Sequence, residues 1–332
     1  MITRRNALTA IAGMGAFGLV GCGDNLSRPL YASDHHLADY PTVKAVQAMS
    51  QLLAEKTDGR LSIQVYPGGQ LGSERDTLEI TVFGGLDLNR VNAAPLNSLA
   101  PMTVVPCLPF LFQDEAHLHR ALDGAPGQYI LDSLKDHGLV GLCYYDSGMR
   151  SFYNTKKPIR NPDDMRGMKI RVQNSDVYVS MINALGADAT PMYLGEVYQS
   201  LVQGVIDGAE NNWPSYQAGR HFEVAQYYSL TRHVMAPEVL VMSLHRWRSL
   251  SDSDQAAVME SAKQSVGIMR QLWGDRVTQA RKAVIESGVA VNEVDNINEF
   301  SELMKPLWER KSTLNKQKEL IEQILELRGS AV

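Results

Sequence analysis

The stretch TVKAVQAMSQLLAEKTDGRLSIQV, residues 42–65, joins a helix pattern directly to a strand pattern. In residues 42–56 the apolar side chains recur at the helical spacing of three or four, at Val46, Met49 and Leu53. Alternation of apolar and polar residues then predicts a half-buried strand, at Leu61, Ile63 and Val65. Because helix and strand patterns keep alternating through the first two thirds of the chain, we expect an α/β fold.

Strands on both sides of this stretch end in polar side chains. Residues 29–33 are predicted as a strand, and His35 follows it. Residues 86–92 begin apolar and end with Arg90 and Asn92. Ligands of open α/β sheets collect beyond the carboxyl ends of the strands. These three side chains are therefore expected near a pocket.

A second region with the same pattern lies further along the chain. Residues 168–173 alternate, with Arg171 on the face opposite the apolar side chains. A helix is predicted over residues 195–203, and residues 205–207 are predicted as a strand that runs into polar residues 208–212. Polar side chains again follow a strand, so this edge is a second candidate for ligand contacts.

The last third of the chain is expected to be helical. Ser251 has the character of an N-cap, and apolar residues then recur at three or four as far as Val284. Such a helix would be about 50 Å long, enough to serve two lobes as a shared spine. Residues 305–328 are predicted as one further helix, docked through a stripe of leucine and isoleucine. A coiled-coil partner is the less favoured alternative.

The N-terminus resembles an export leader. Arg4 and Arg5 precede an apolar run over residues 7–20, which is shorter than the about 20 residues that a spanning helix needs. Leu-Val-Gly-Cys at residues 19–22 resembles the cleavage site of bacterial lipoproteins, which predicts acylation of Cys22 and a periplasmic protein anchored by lipid. Ordinary cleavage nearby is the alternative, and both the general and the twin-arginine export routes remain open.

Composition excludes several classes of protein. The chain has 32 basic and 37 acidic residues without a dense basic run, so a nucleic-acid partner is not expected. Cys107 and Cys143 lack the spacing of zinc or redox sites and either pair or remain thiols. At 332 residues the chain exceeds one usual core, so two domains are expected.

Sequence motifs for catalysis are missing. A glycine pattern at residues 13–18 matches the spacing of a nucleotide-binding loop, but it lies in the leader, with no strand before it. The close histidine pairs, at neighbouring or alternate positions, lack the spacing of metal ligands, so neither a metal nor a cofactor is predicted. We expect a binding protein and not an enzyme, with a secreted hydrolase or lyase as the alternative.

Several motifs in order carry a specific resemblance: GMKIRV at 167–172, LGA at 185–187, TPM at 190–192, GEVY at 195–198 and DGAEN at 207–211. The chain resembles the extracytoplasmic solute receptors of tripartite ATP-independent periplasmic (TRAP) transporters. The resemblance implies a two-lobed periplasmic binding protein fold, the Venus flytrap, with crossing strands and a long interlobe helix. It also implies a small and a large integral-membrane subunit as partners.

The resemblance also sets expected boundaries. Residues 1–26 form the leader, residues 27–148 and 237–276 form lobe I, and residues 149–236 and 277–332 form lobe II.

Site residues follow from the same resemblance. The carboxylate-binding arginine of the family falls on Arg171, whose guanidinium can hold both oxygens of a carboxylate. A structural ion pair with Glu210 is the alternative role for Arg171. Arg150 matches a second pocket arginine, and Asn211 matches a pocket amide. Leu194 departs from the pattern of relatives that bind sialic acid.

The substrate is expected to be a sugar acid. Segments around His35, residues 88–92, 145–148 and 210–216 are similar to a subgroup that binds glucuronate and galacturonate. Hydroxyl groups both donate and accept, so polar side chains and aromatic rings are the expected ligand contacts: Glu74, His35 and Asn92 for the hydroxyls, and Trp213 and Tyr216 for the ring face. A C4-dicarboxylate receptor with Arg90 as second cation is the substrate alternative, and a ligand-sensing protein is the functional one.

Overall fold

The structure, a computed structural model, describes residues 28–329. Eleven strands are formed by these residues: β1 (Leu30–Ser33), β2 (Ile63–Tyr66), β3 (Leu88–Asn92), β4 (Leu139–Tyr145), β5 (Arg150–Asn154), β6 (Lys169–Val172), β7 (Asp188–Pro191), β8 (Gly208–Asn211), β9 (Tyr227–Val234), β10 (Glu238–Ser243) and β11 (Ala290–Glu293).

Twelve α-helices surround the strands in the described part of the chain: α1 (Pro41–Lys56), α2 (Glu74–Val82), α3 (Ala93–Leu96), α4 (Glu115–Leu122), α5 (Ala125–Ser133), α6 (Asp176–Ala184), α7 (Val197–Val202), α8 (Trp213–Ala218), α9 (Leu244–Trp247), α10 (Asp252–Glu286), α11 (Ile297–Lys311) and α12 (Asn315–Glu326). Within residues 28–329 no helix combines the length and the apolar character needed to span a membrane.

The strands form two separate sheets, and each brings polar strand ends to one edge. The first has the order β2-β1-β3-β10-β4, with β10 antiparallel to both of its neighbours. Glu238 at the start of β10 therefore lies opposite Asn92 at the end of β3. In the second sheet, of order β11-β9-β5-β8-β6-β7, Arg171 in β6 pairs with Ala209 in β8.

The chain crosses between the two sheets twice near the site, through residues 146–149 and residues 235–237. Helix α10 has 35 residues, about 50 Å, and begins at the cap that Ser251 provides to the backbone nitrogen of Asp254. It packs on α1 and β4 beside the first sheet and on α8 beside the second. The α/β prediction and the long shared helix are confirmed.

The strand predicted at residues 205–207 is wrong. Strand β8 begins at Gly208, and Asp207 before it accepts hydrogen bonds from the backbone of Lys169 (2.9 Å) and of Thr155 (2.8 Å). All four residues of β8 are buried, although two of them are polar. The polar residues Glu210 and Asn211 therefore lie inside the strand and not beyond its end. The sequence does not show this, because their hydrogen-bond partners come from other parts of the chain.

The single helix predicted over residues 305–328 is also wrong. Helix α11 ends at Lys311, and α12 begins at Asn315. Leu314, which one continuous helix would place on the apolar stripe, is 43% exposed in the connection. Helix α11 packs on α6 and β9, whereas α12 packs on α5 and on the turn over residues 101–107.

Both described cysteines are buried free thiols. The sequence allowed either a disulfide or two thiols, and the structure shows Cys107 and Cys143 as thiols without a disulfide. Burial raises the pKa of each thiol to about 12. A neutral buried thiol behaves as a small apolar side chain, so both cysteines have a packing role.

Candidate ligand-binding site

Polar side chains from both sheets converge on one small cavity. The first sheet, its flanking segments and the crossing segment contribute His35, His36, Glu74, Ser147 and Glu238. The second sheet and its flanking segments contribute Arg150, Arg171, Gln173, Leu194, Asn211 and Ser215. Only about 10 Å³ remains for the centres of water molecules, which is room for about one water. In this conformation the site is closed.

A larger cavity of about 330 Å³ adjoins the first one. The two share His35, His36, Leu194 and Ser215, and Tyr193 forms part of the wall of the larger one. The larger cavity therefore continues the space beside the closed site.

Arg150 is held by a carboxylate of its own protein. Its Nε and Nη2 atoms donate to the two carboxylate oxygens of Glu210, at 2.5 and 2.7 Å, and Nη1 donates to Oδ1 of Asn211 at 2.8 Å. Burial raises the pKa of Glu210, but the charge and hydrogen bonds of Arg150 and the nearby His233, 3.5 Å away, outweigh it and bring the pKa to about 2. Glu210 is therefore the counterion of Arg150.

Arg171 has no such counterion. Its Nε and Nη2 atoms both donate to the backbone carbonyl of Met192, at 3.0 and 2.7 Å, and it is only 3% exposed. Among residues 28–329 no carboxylate oxygen lies within 4.0 Å of its guanidinium, while Glu210, the partner considered from sequence, pairs with Arg150. Burial lowers the pKa of Arg171. Arg171 thus carries a buried positive charge that the described protein leaves without a paired anion.

Arg90 shows the opposite situation. Its guanidinium forms ion pairs with Asp34, with Glu238 at 2.6 Å and with Glu74 at 3.2 Å. Burial lowers the pKa of Arg90, yet the charges of Asp34 and Glu238 outweigh burial and raise it well above the usual range. We call Arg90 and these three acids the Arg90 cluster. The positive charge of Arg90 is thus neutralised by carboxylates of the protein.

His35 and Glu74 bring this cluster to the cavity. The Nδ1 atom of His35 lies 3.0 Å from Oε1 of Glu74 and 3.0 Å from Nη2 of Arg90. Burial raises the pKa of Glu74, but the charge and hydrogen bond of His35 and the charge of Arg90 lower it to about 2. Glu74 therefore presents an ionised acceptor to the cavity.

The two candidate asparagines serve the frame of the site. Oδ1 of Asn211 accepts from Arg150, and the residue lines the cavity. Asn92 caps α3 through Oδ1 and donates to Oε1 of Glu238 at 3.1 Å. Asn92 lies behind the lining residues, so in this conformation it contacts the site through Glu238.

The structure does not bring Trp213 or Tyr216 to the lining of the closed cavity. Trp213 stacks on Tyr228, with ring centroids 4.0 Å apart. Tyr216 is fully buried, and its hydroxyl donates to the carbonyl of Ala225. Both belong to the core beside the second sheet. Their contact with a ligand remains a prediction from sequence.

Sequence reasoning missed several lining residues. Glu238 begins an antiparallel strand, so a search at the carboxyl ends of strands passes over it. Gln173 follows Arg171 by two positions and therefore shares its side of the strand, a pattern that was visible in the sequence. Ser147 lies in the crossing segment, and Ser215 lies in α8. Only the assembled fold brings these two serines to the cavity.

Comparison with known proteins identifies the family of the chain. The model of bacterial extracellular solute-binding protein, family 7 (DctP), matches residues 32–314. A solute-binding protein of Chromohalobacter salexigens is 42% identical over 275 residues, which is 83% of this chain and 82% of the relative.

Two solved structures are also similar over nearly the whole chain. A TRAP periplasmic solute-binding protein of Bradyrhizobium sp. BTAi1, in complex with D-galacturonate, is 49% identical with a TM-score of 0.89, covering 90% of this chain and 100% of the other. One from Chromohalobacter salexigens DSM 3043 with bound D-glucuronate is 39% identical with a TM-score of 0.87, covering 90% and 99%. The chain therefore belongs to family 7 of the bacterial extracellular solute-binding proteins, the solute receptors of TRAP transporters.

Proposed function

We propose that this protein binds a hexuronate, D-glucuronate or D-galacturonate, outside the cytoplasmic membrane and delivers it to a small and a large integral-membrane TRAP subunit. It binds the sugar acid and releases it unchanged, without catalysis and without a cofactor. The observation that carries the proposal is the buried guanidinium of Arg171, which has no carboxylate partner in the described chain.

A ligand carboxylate completes the environment of Arg171. A buried charge without a counterion is costly, whereas a paired and hydrogen-bonded one is tolerated. Arg171 uses Nε and Nη2 for Met192, so its remaining guanidinium hydrogens are available to an anion. Arg150 lines the same cavity and, although its charge is paired, offers a further hydrogen-bond donor. Arg171 is thus the proposed carboxylate-binding residue.

The opposite side of the cavity favours hydroxyl groups over a second carboxylate. In the Arg90 cluster three carboxylates face one guanidinium, which leaves an excess of two negative charges before His35 is counted. A C4-dicarboxylate would bring its second charge toward these acids. Sugar hydroxyls instead donate to carboxylates such as Glu74, and the galacturonate and glucuronate complexes of the similar proteins support this choice.

Ligand entry requires the site to open. A hexuronate is far larger than the single water for which the closed cavity has room. We place the opening between lobe I, residues 27–148 and 237–276, and lobe II, residues 149–236 and 277–332. Bending at the crossing segments, residues 146–149 and 235–237, would separate the walls of the cavity.

A ligand panel tests the proposal. D-glucuronate and D-galacturonate at 100 times their dissociation constants should stabilise the protein by about 2.7 kcal/mol, a rise in Tm of roughly 5 °C or more. D-glucose and D-galactose are matched controls without the carboxylate and should cause no shift. A response to succinate or malate without one to either uronate would contradict the proposal, as would no response to any acid.

Recovery of the ligand tests the absence of catalysis. After prolonged incubation with the protein, the NMR spectrum of the uronate should equal that of a protein-free sample. A new product would assign the chain to the hydrolase or lyase class instead.

Lipid attachment at Cys22 is a separate proposal, and this residue lies outside the described part of the chain. Acyl chains there would keep the receptor near its membrane subunits without a spanning helix. In cells given labelled palmitate, the wild-type protein should carry the label and sediment with membranes. Cys22→Ser should lose both properties, and equal release of the two proteins would rule the anchor out.

A further inference from the structure

Gln173 is a buried polar residue whose acceptor is unused. It lies directly after β6, is 8% exposed and lines the closed cavity. Its Oε1 atom is buried and accepts no hydrogen bond from any described residue. Buried polar atoms in proteins are nearly always hydrogen-bonded, and an unpaired one destabilises the folded protein. An amide held in this way at a binding cavity calls for a donor from the ligand.

Other buried atoms without partners do not share this position. The hydroxyl of Tyr178, the hydroxyl of Ser261 and the indole nitrogen of Trp273 are also unpaired, but none of these residues lines the cavity. Ser175, two positions after Gln173, donates to Asn97 at 2.7 Å and is satisfied. The argument therefore rests on the unpaired amide together with its place in the site.

The position of Gln173 relative to Arg171 selects which ligand group it meets. Residues two apart on a strand point to the same side, with α-carbons about 7 Å apart. Both side chains line the cavity, and Val172 between them does not. A sugar ring whose carboxylate lies on Arg171 therefore places its adjoining atoms beside Gln173.

In a hexuronate the carboxyl carbon is attached to C5, whose ring neighbours are the ring oxygen and C4. The ring oxygen can only accept, so it cannot satisfy Oε1 of Gln173. The nearest donor to the carboxylate is the hydroxyl on C4. This hydroxyl is equatorial in glucuronate and axial in galacturonate, and it is the only stereocentre that distinguishes the two acids.

We propose that Gln173 accepts a hydrogen bond from the C4 hydroxyl of the bound hexuronate and thereby sets the preference between the C4 epimers. This inference rests on the proposed uronate function and deepens it. Gln173 is a specificity-determining residue, while Arg171 supplies the affinity that both epimers share.

Calorimetric titration of wild-type protein and Gln173→Leu with D-glucuronate, D-galacturonate and a 4-deoxy-hexuronate tests the proposal. The variant should bind the preferred epimer about tenfold more weakly, bring the two epimers within about twofold of each other, and leave the 4-deoxy affinity unchanged. The exposed Gln271→Leu in α10 is the matched control and should change none of the dissociation constants.

The possible contradictions are separable. Equal weakening for all three ligands would make Gln173 a structural residue, and no change for any ligand, or a wild-type protein without epimer preference, would remove it from the specificity of the site. In each of these cases the uronate receptor stands. Wild-type protein that binds no uronate would overturn the function and this inference together.

Discussion

Arg90 and Arg171 are both buried guanidinium groups at one site, yet their surroundings differ. Arg90 is 1% exposed and has ion pairs with three carboxylates, whereas Arg171 is 3% exposed and donates only to the carbonyl of Met192 among the described residues. The described protein neutralises the first charge by itself, and in our proposal the second is neutralised by the carboxylate of a ligand. On that proposal charge compensation, more than burial, separates a structural arginine from a binding arginine.

Arg150 lies between these extremes. It has one carboxylate, Glu210, and one amide oxygen, Asn211, and it still lines the cavity. Its own charge is balanced by Glu210, so its proposed contribution to a ligand is a hydrogen bond more than a net positive charge. The three arginines form a series from full compensation to none.

Replacing Arg90 should have the largest effect. Arg90→Met leaves Asp34, Glu74 and Glu238 without their shared cation, and breaking a buried ion pair costs about 3–5 kcal/mol. Denaturant unfolding without ligand measures this loss. Arg75→Met, which removes an exposed arginine on α2, is the control and should change stability by less than about 0.5 kcal/mol. An unchanged free energy of unfolding for Arg90→Met would show that the cluster is not structural.

Arg171→Lys should weaken ligand binding about 100-fold while the protein still folds. A lysine keeps the charge but loses the planar fork, and a lost hydrogen bond to a charged group costs about 1.5–3 kcal/mol. Calorimetry gives the dissociation constant. Denaturant unfolding gives the free energy of unfolding of the ligand-free protein, which should change by less than about 1 kcal/mol. Undiminished affinity would move Arg171 into the same class as Arg90.

Acid should weaken the ion pairs of Arg90 and Arg150 by protonating their carboxylate partners. The pKa values of Glu74 and Glu210 are lowered to about 2 in the folded protein, so their stabilisation is complete above the unfolded value near 4.5 and is lost as the pH falls from there toward 2. Between pH 5 and 3.5 the two groups together should cost about 2 kcal/mol of stability. Denaturant unfolding at the two pH values measures the loss, and Arg171→Lys should show the same slope. A flat profile would contradict the ion-pair assignment.

Salt should have the smallest effect. Mobile ions screen exposed charges strongly and buried pairs weakly. Raising sodium chloride from 0.05 to 0.5 M should therefore increase the dissociation constant of the uronate less than about threefold. A tenfold increase would mean that the carboxylate binds an exposed cation and not Arg171.

The sequence predicted the parts of the fold that depend on local periodicity. Helices α1 and α10 and strand β3 appear close to their expected bounds, because their apolar spacing is uninterrupted. The break between α11 and α12 at Ser312 was not predicted, because the helical spacing of apolar residues in the sequence continues through it. The start of β8 was missed because its buried polar residues depend on Arg150 in another strand.

The site was predictable only in part for the same reason. Arg171, Arg150 and His35 are placed at the cavity as expected from motifs and strand ends. Which arginine pairs with Glu210 is decided by sheet register, since β5 and β6 lie on opposite sides of β8. No spacing in the sequence records that choice, nor the three acids gathered around Arg90.

The tightness of the closed cavity has a kinetic consequence. With room for about one water between its walls, the cavity leaves too little space for a sugar acid to move past the lining side chains while the walls keep this arrangement. Departure must then wait for the lobes to part, a collective motion on the scale of microseconds to milliseconds or slower. The residence time of the ligand is thus set by how often the protein opens, and a membrane subunit that pulls the lobes apart would control release without competing for the ligand's own contacts.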